Sequence, residues 1–92
     1  MAHLVRDKEK LLARVRRIQG QLKAVERSLE AEAECGDTLQ LIVSSRGALN
    51  GLMAEVLEGH LRHHVARPIS DPASAEARDL EQAIDVVRAY LR

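Results

Sequence analysis

The chain has 92 residues, enough for a single domain, and its composition is 46% apolar but only 1% aromatic. The 14 lysines and arginines balance 14 aspartates and glutamates, so net charge gives no general argument for a nucleic-acid partner. No run of about 18 uncharged apolar residues exists, which argues against a membrane-spanning helix, and one cysteine cannot form an internal disulfide. We therefore expect one cytoplasmic domain over residues 1–92, small enough that oligomerisation would complete its core.

The first predicted helix covers about residues 6–31, because apolar side chains recur there at alternating steps of three and four. Residues 1–30 hold eight basic and four acidic side chains, so this end of the chain has an excess of four positive charges. Part of that charge lies within about an 80° arc away from the apolar stripe. The arc could engage DNA phosphates, but an ordinary solvated helix face explains it at least as simply. Its members are Arg6, Lys10, Arg14 and Arg17.

A turn is predicted at residues 34–37 (Glu-Cys-Gly-Asp), followed by a second helix over about residues 36–66. Apolar residues are spread too widely round this helix for one neighbour to cover, so part of its surface should be buried against a partner chain. Glu55 and Glu58 lie one turn apart on the same helix and are interpreted as solvated. The apolar set is Leu39, Ile42, Val43, Leu49, Leu52, Met53, Val56, Leu57 and Leu61.

Two prolines, Pro68 and Pro72, separate the second helix from a third over about residues 72–91. Asp71 followed by Pro72 predicts the N-cap and first residue of that helix, with Ser74 as the later option. The chain is therefore expected to be all-α, with three helices.

Side chains that commonly bind transition metals lie at both ends of the second helix. His60 and His64 are four residues apart and project from one face, although histidines are also ordinary at a solvated helix end. Cys35 lies 25 residues before His60, roughly 37 Å along a straight helix, so one chain cannot unite them. An antiparallel pair of second helices would bring Cys35 of one chain to both histidines of the other. The alternative for Cys35 is a small buried thiol at a turn.

Small residues at the midpoint, Gly47, Ala48 and Gly51, would let two such helices approach closely. A sulfur and two nitrogens suit nickel, cobalt, copper or zinc. The N-terminal segment offers two further nitrogens, the imidazole of His3 and, after removal of Met1, the amine of Ala2. With them the site would have five or six ligands, which fits octahedral nickel or cobalt better than tetrahedral zinc. An ordinary tail is the alternative for His3.

Several segments resemble the CsoR/RcnR family of metal-sensing transcriptional repressors, and most closely its nickel/cobalt-responsive branch. The most specific is Arg-Gly-Ala-x-Asn-Gly-Leu-Met-x-Glu-Val at residues 46–56, and the likeness covers nearly the whole chain. It implies a three-helix protomer, a dimer with antiparallel second helices, and a disc-shaped tetramer made of two dimers. Other segments that carry it are residues 1–3, 6–8, 18–21, 34–35 and 59–61.

The resemblance also implies a function. The metal-free protein would bind operator DNA, repress a metal-exporter gene and be released by metal, with no enzymatic activity. The implied metal ligands are His3, Cys35, His60 and His64. The implied DNA-binding residues are Arg14 and Arg17, with Lys10, Arg16 and Arg46 as weaker candidates.

Branches of the family differ at a few of these positions. His64 argues against a copper sensor, and the lack of a second cysteine argues against a persulfide sensor. The expected inducer is nickel or cobalt, with zinc as the alternative ion. His63 stands where the nickel/cobalt type carries an acid, so it is a further candidate ligand. Residues 26–30 and 54–58 look like the formaldehyde-responsive FrmR branch, so a formaldehyde sensor using Cys35 and the N-terminal amine of Ala2 is the alternative.

Overall fold

The computed structural model describes residues 2–65 and 71–91, without the side chains of residues 2, 3, 64 and 65. Every regular element in these ranges is helical, which confirms the all-α prediction. A short helix that the sequence did not predict precedes the first predicted helix, which begins at Lys8, and the second predicted helix ends in a π-helical segment. The elements are α1 (Ala2–Arg6), α2 (Lys8–Glu30), α3 (Cys35–His60), the π-helical segment (Leu61–Val65) and α4 (Ala75–Leu91).

The turn between α2 and α3 lies at residues 31–34, so the prediction of a turn at 34–37 is wrong. Glu32 has a φ of 53°, the left-handed conformation with which glycine usually ends a helix. Its N–H donates to the carbonyl of Leu29 at 3.1 Å, and the N–H of Ala33 donates to the carbonyl of Ser28 at 3.0 Å. This Schellman pattern ends α2 without a glycine, and Gly36 lies instead in the first turn of α3.

The start of α4 follows the later of the two sequence options. The hydroxyl of Ser74 accepts a hydrogen bond from the N–H of Ala77 at 3.1 Å, which makes Ser74 the N-cap. Asp71 accepts from the N–H of Ala73 at 3.0 Å and belongs to the preceding turn. Residue 66, the predicted end of the second helix, and Pro68 lie outside the described residues.

One side of α3 packs on α2, and the most buried residues of α3 on this side are small and polar. Thr38 and Ser45 are buried there, and the hydroxyls of Ser28 and Thr38 are 2.6 Å apart across the two helices. Ala48 and Gly51 lie on this side too, so they serve the contact with α2. The expectation that they line a crossing between two copies of α3 is therefore wrong for these two residues.

The opposite side of α3 exposes several large apolar side chains, with the charged Arg46 among them. Its side chains fall within an arc of about 120° at 100° per residue, centred away from α2. They are 45–60% exposed, although they are among the largest apolar side chains of the helix. We call them the open stripe, which consists of Leu39, Ile42, Val43, Leu49 and Met53.

The protomer has little core of its own. Ile18 and Ile84 are the buried apolar residues of the part that the structure describes. The chain extends over 56 × 25 × 14 Å, a slab about one helix thick in its shortest dimension. Its accessible surface is 6946 Å², whereas a compact monomer of this mass exposes about 5,300 Å². No helix within the described ranges is both long and apolar enough to cross a bilayer.

Candidate metal centre and nucleic-acid interface

Cys35 and His60 are the first and last residues of α3, and both are exposed. At 100° per residue, each lies within about 60° of Leu39 round the helix, on the side of the open stripe. The thiol and the imidazole therefore mark the two ends of that stripe, roughly 37 Å apart along the axis. This separation agrees with the sequence argument that one chain cannot unite them.

His63 is brought to the N-terminal part of the chain. Arg6 Nη2 lies 2.7 Å from Nε2 of His63, so the guanidinium donates and this ring nitrogen accepts. Because one lone pair serves one partner, a metal at this nitrogen would have to displace Arg6. The contact links the end of α1 to the π-helical segment, and no sequence pattern predicts it.

The remaining candidate ligands belong to α1 and to the π-helical segment. The side chains of Ala2, His3 and His64 lie outside the described residues. The π-helical segment that holds His64 begins just after His60, so the α-helical spacing assumed for this pair does not extend across it. Among the side chains that are described, no group of three His, Cys, Asp or Glu is placed to hold an ion within one chain.

Four charged side chains join this end of α3 to α4. Arg62 donates from Nε to Glu58 at 3.2 Å and from Nη2 to Glu81 at 3.0 Å, and Arg88 donates from Nε to Glu58 at 3.0 Å. Burial alone would raise the pKa of Glu58, but hydrogen bonds from Arg88 and Arg62 outweigh it and hold the pKa below its usual value. The hydrogen bond from Arg62 likewise lowers the pKa of Glu81. Glu58 is 16% exposed, so its interpretation as a solvated residue is wrong.

Some of the predicted DNA-binding residues share one groove between α2 and α3. The groove has a volume of about 170 Å³, and Arg14 and Arg17 contribute its charge. Arg16 lies about 160° round α2 from the buried Ile18, and Arg46 lies on the side of the open stripe, so neither faces this groove. We call it the basic groove, lined by Arg14, Arg17, Ile18, Gln21 and Ala48.

Glu55 of α3 lies beside the basic groove and was missed as a site residue. Its carboxylate is 2.6 Å from Lys10 Nζ and 2.9 Å from Arg14 Nε, and the side chain is 23% exposed rather than solvated. The hydrogen bond with Glu55 raises the pKa of Lys10 above its ordinary value. No local sequence pattern predicts these contacts, because Lys10 and Arg14 precede Glu55 by 45 and 41 residues and meet it only when α2 packs on α3.

The helical protomer thus carries a basic groove between α2 and α3, and a thiol and an imidazole at the ends of the open stripe. Residues 7–89 match the family described as metal-sensitive transcriptional repressor, and the chain belongs to that family. Its members are repressors and not enzymes, as the resemblance implied.

Two curated relatives align over the full length of both chains. One is 53% identical and is described as an uncharacterized protein in the bioA 5′ region of Serratia marcescens. The other is 45% identical and is the transcriptional repressor RcnR of Salmonella paratyphi B (strain ATCC BAA-1250 / SPB7). A solved structure of a variant of the formaldehyde-responsive regulator FrmR from Salmonella enterica serovar Typhimurium superposes with a TM-score of 0.63. It is 42% identical, and the match covers 92% of this chain and 94% of that one.

Proposed function

We propose that the chain is a cytoplasmic repressor that binds operator DNA when metal-free, is released by nickel or cobalt and controls a metal exporter. The observation that carries this proposal is the position of Cys35 and His60 at opposite ends of the open stripe. The 45% identity to RcnR over the full chain supports the same assignment.

Pairing of two chains through the open stripe would bury its five apolar side chains. If the two copies of α3 run antiparallel about a two-fold axis near residues 47 and 48, Cys35 of one copy meets the end of the other that carries His60. Each dimer then has two equivalent sites. Two dimers would form the disc-shaped tetramer that is expected for the family.

The ligand set would be His3, Cys35, His60 and His64, with His63 and the amine of Ala2 as additional donors. A thiolate with several imidazoles suits nickel or cobalt, and zinc if fewer donors take part. The metal would supply a coordination centre that ties the N-terminal segment to both helices. It can release DNA only through its higher affinity for the conformation that binds DNA less well.

DNA would be held electrostatically by Arg14 and Arg17 of the basic groove, with Lys10 beside them and Arg16 as an outer contact. Arg46, on the side of the open stripe, would lie at the proposed dimer interface instead. Each phosphate that a basic side chain neutralises releases a counterion, so binding should weaken steeply as salt increases. A tetramer would carry four copies of the basic groove, one from each protomer.

Isothermal titration with nickel and with cobalt tests the metal site. We expect Cys35→Ala and His60→Ala each to weaken binding by at least about tenfold, because each removes a donor to the ion. Arg78→Ala on α4 is the matched control on an exposed side chain without a metal donor and should bind as wild type does. Equal binding by wild type, Cys35→Ala and His60→Ala would contradict the proposal.

A formaldehyde-responsive repressor is the second candidate, favoured by the 42% identity to the FrmR variant. In this case the thiol of Cys35 and the amine of Ala2 would be joined through one carbon with loss of water. Mass spectrometry after aldehyde treatment distinguishes the two: a cross-linked Cys35 supports the aldehyde sensor, and an unmodified Cys35 together with tight nickel or cobalt binding supports the metal sensor.

A further inference from the structure

Glu55 forms ion pairs with two of the basic side chains that the proposed function assigns to DNA binding. One carboxylate oxygen, Oε1, is 2.6 Å from Lys10 Nζ, and the other, Oε2, is 2.9 Å from Arg14 Nε. The Arg14 N–H is not aimed at Oε2, so this second contact is an ion pair and not an aligned hydrogen bond. Each oxygen is therefore matched to one basic side chain of α2.

Gly51 makes room for this arrangement one helical turn before Glu55. A Cβ atom at position 51 would lie 2.9 Å from Arg14 Nη1, so the guanidinium rests directly over the glycine. The Arg14 guanidinium therefore packs on α3 with Nη1 over Gly51 and Nε beside the Glu55 carboxylate. The Lys10 side chain is 68% exposed, so the ion pair between Lys10 and Glu55 is accessible to solvent on the lysine side.

We propose that Glu55 is an internal competitor of DNA, a carboxylate that occupies Lys10 and Arg14 and that phosphates must displace or share. The inference rests on the proposed DNA-binding role of these residues. It assigns to Glu55 a function that sets affinity for the operator: the chain binds DNA less tightly, and with a smaller dependence on salt, than its basic residues alone would allow.

The chemistry of the two partners supports competition. A carboxylate and a phosphate oxygen are both anionic acceptors, so they make the same charge-assisted contacts with an ammonium or guanidinium group. A cation that is already neutralised by its own chain releases fewer counterions when DNA arrives. Partly exposed ion pairs contribute little to folding, so removal of Glu55 should change DNA affinity far more than it changes stability.

The experiment uses the full chain and a fluorescein-labelled random-sequence duplex, with affinity measured by anisotropy over a series of NaCl concentrations. We expect Glu55→Gln to bind about threefold or more tightly at low salt, because two cations per chain are freed. The slope of log affinity against log salt should become steeper by about one for each additional phosphate contact. Circular dichroism and light scattering check that helix content and assembly are unchanged.

Glu58→Gln is the matched control. It removes the same charge from the same helix, but its carboxylate pairs with Arg62 and Arg88, away from the basic groove. We expect its DNA affinity to equal that of wild type. An affinity of Glu55→Gln that is unchanged or weaker, with fold and assembly intact, overturns the proposal because a merely structural ion pair predicts that result.

A second pair of variants keeps Glu55 in place, so that a folding defect cannot hide the answer. Lys10→Gln should cost less DNA affinity than Arg17→Gln, because Lys10 is already paired and Arg17 lines the groove. Equal losses would also overturn the proposal. If the wild-type chain itself bound no duplex at low salt, the proposed DNA-binding function would fail, and this inference with it.

Discussion

On the two sides of α3, burial does not follow polarity, because the most buried residues of this helix carry hydroxyl groups. The side packed on α2 holds Thr38, Ser45 and Glu55, and its interhelical contacts include one hydroxyl pair and two ion pairs. The open stripe carries large aliphatic side chains that remain about half exposed. A helix of a self-sufficient domain would bury the aliphatic side first, because burial of apolar surface is the main favourable contribution to folding.

This difference indicates that the protomer is built to be completed by another copy. The polar contacts fix the register of α2 on α3 but supply little hydrophobic stabilisation, and the open stripe supplies the apolar surface that an interface needs. The candidate metal donors lie at the ends of the open stripe and the basic groove lies on the α2 side. Metal binding and DNA binding are thus assigned to opposite sides of one helix.

The largest expected effect comes from placing a charge in the open stripe. Val43→Glu would place a charge in the proposed interface, a change that costs several kcal/mol when the carboxylate is desolvated without a partner. We expect the mass measured by light scattering to fall to that of a monomer at concentrations where wild type is oligomeric.

Gln40→Glu is the control for this prediction. It adds the same charge to an exposed position of α3, about 100° round the helix from Leu39 and outside the open stripe. The oligomer should survive this change. Equal masses for Val43→Glu and wild type would mean that the open stripe is not the interface of the oligomer.

The sequence predicted the helical class well because helix periodicity is a local property. The surplus of apolar positions on the second helix was visible in the same way, and the open stripe confirms that one neighbour does not cover them. The turn was predicted at residues 34–37, which include a glycine, whereas the residue that adopts the left-handed conformation is Glu32. A glycine signal identifies a favourable residue for a turn, but hydrogen bonds along the chain decide where the turn forms.

The candidate sites were predictable only as far as they depend on single helices. Spacing along α3 correctly separated Cys35 from His60, because that distance follows from helix rise alone. The contacts of Glu55 with Lys10 and of His63 with Arg6 depend on how helices pack, and no periodicity encodes a contact between distant segments. Glu55 was therefore judged by the charge of its own helix and misinterpreted.

A smaller effect is expected at the turn that joins the two helices. Glu32→Gly removes a side chain from a left-handed residue, a conformation that costs a non-glycine residue about 1 kcal/mol. Glycine is more flexible when unfolded, so we expect a net gain of up to about 1 kcal/mol in the free energy of unfolding by urea. The mass of the oligomer should not change, because the turn does not alter the open stripe. A loss of stability would contradict this account of the turn.

The smallest expected effect is an acid-dependent loss of stability at the contact between Arg62 and Glu81, which holds α4 without touching the open stripe. Because the folded chain lowers the pKa of Glu81, this contact stabilises the fold above the carboxyl's unfolded pKa of about 4.3. Its contribution is lost as the pH falls through the lower, folded value. Glu81→Gln should therefore be less stable than wild type near neutral pH and approach it in acid, as measured by thermal unfolding across this range.

Asp85→Asn, a change at another exposed carboxylate of α4, is the control and should leave the pH dependence of wild type unaltered. The same acid dependence in Glu81→Gln and wild type would mean that the contact does not anchor α4.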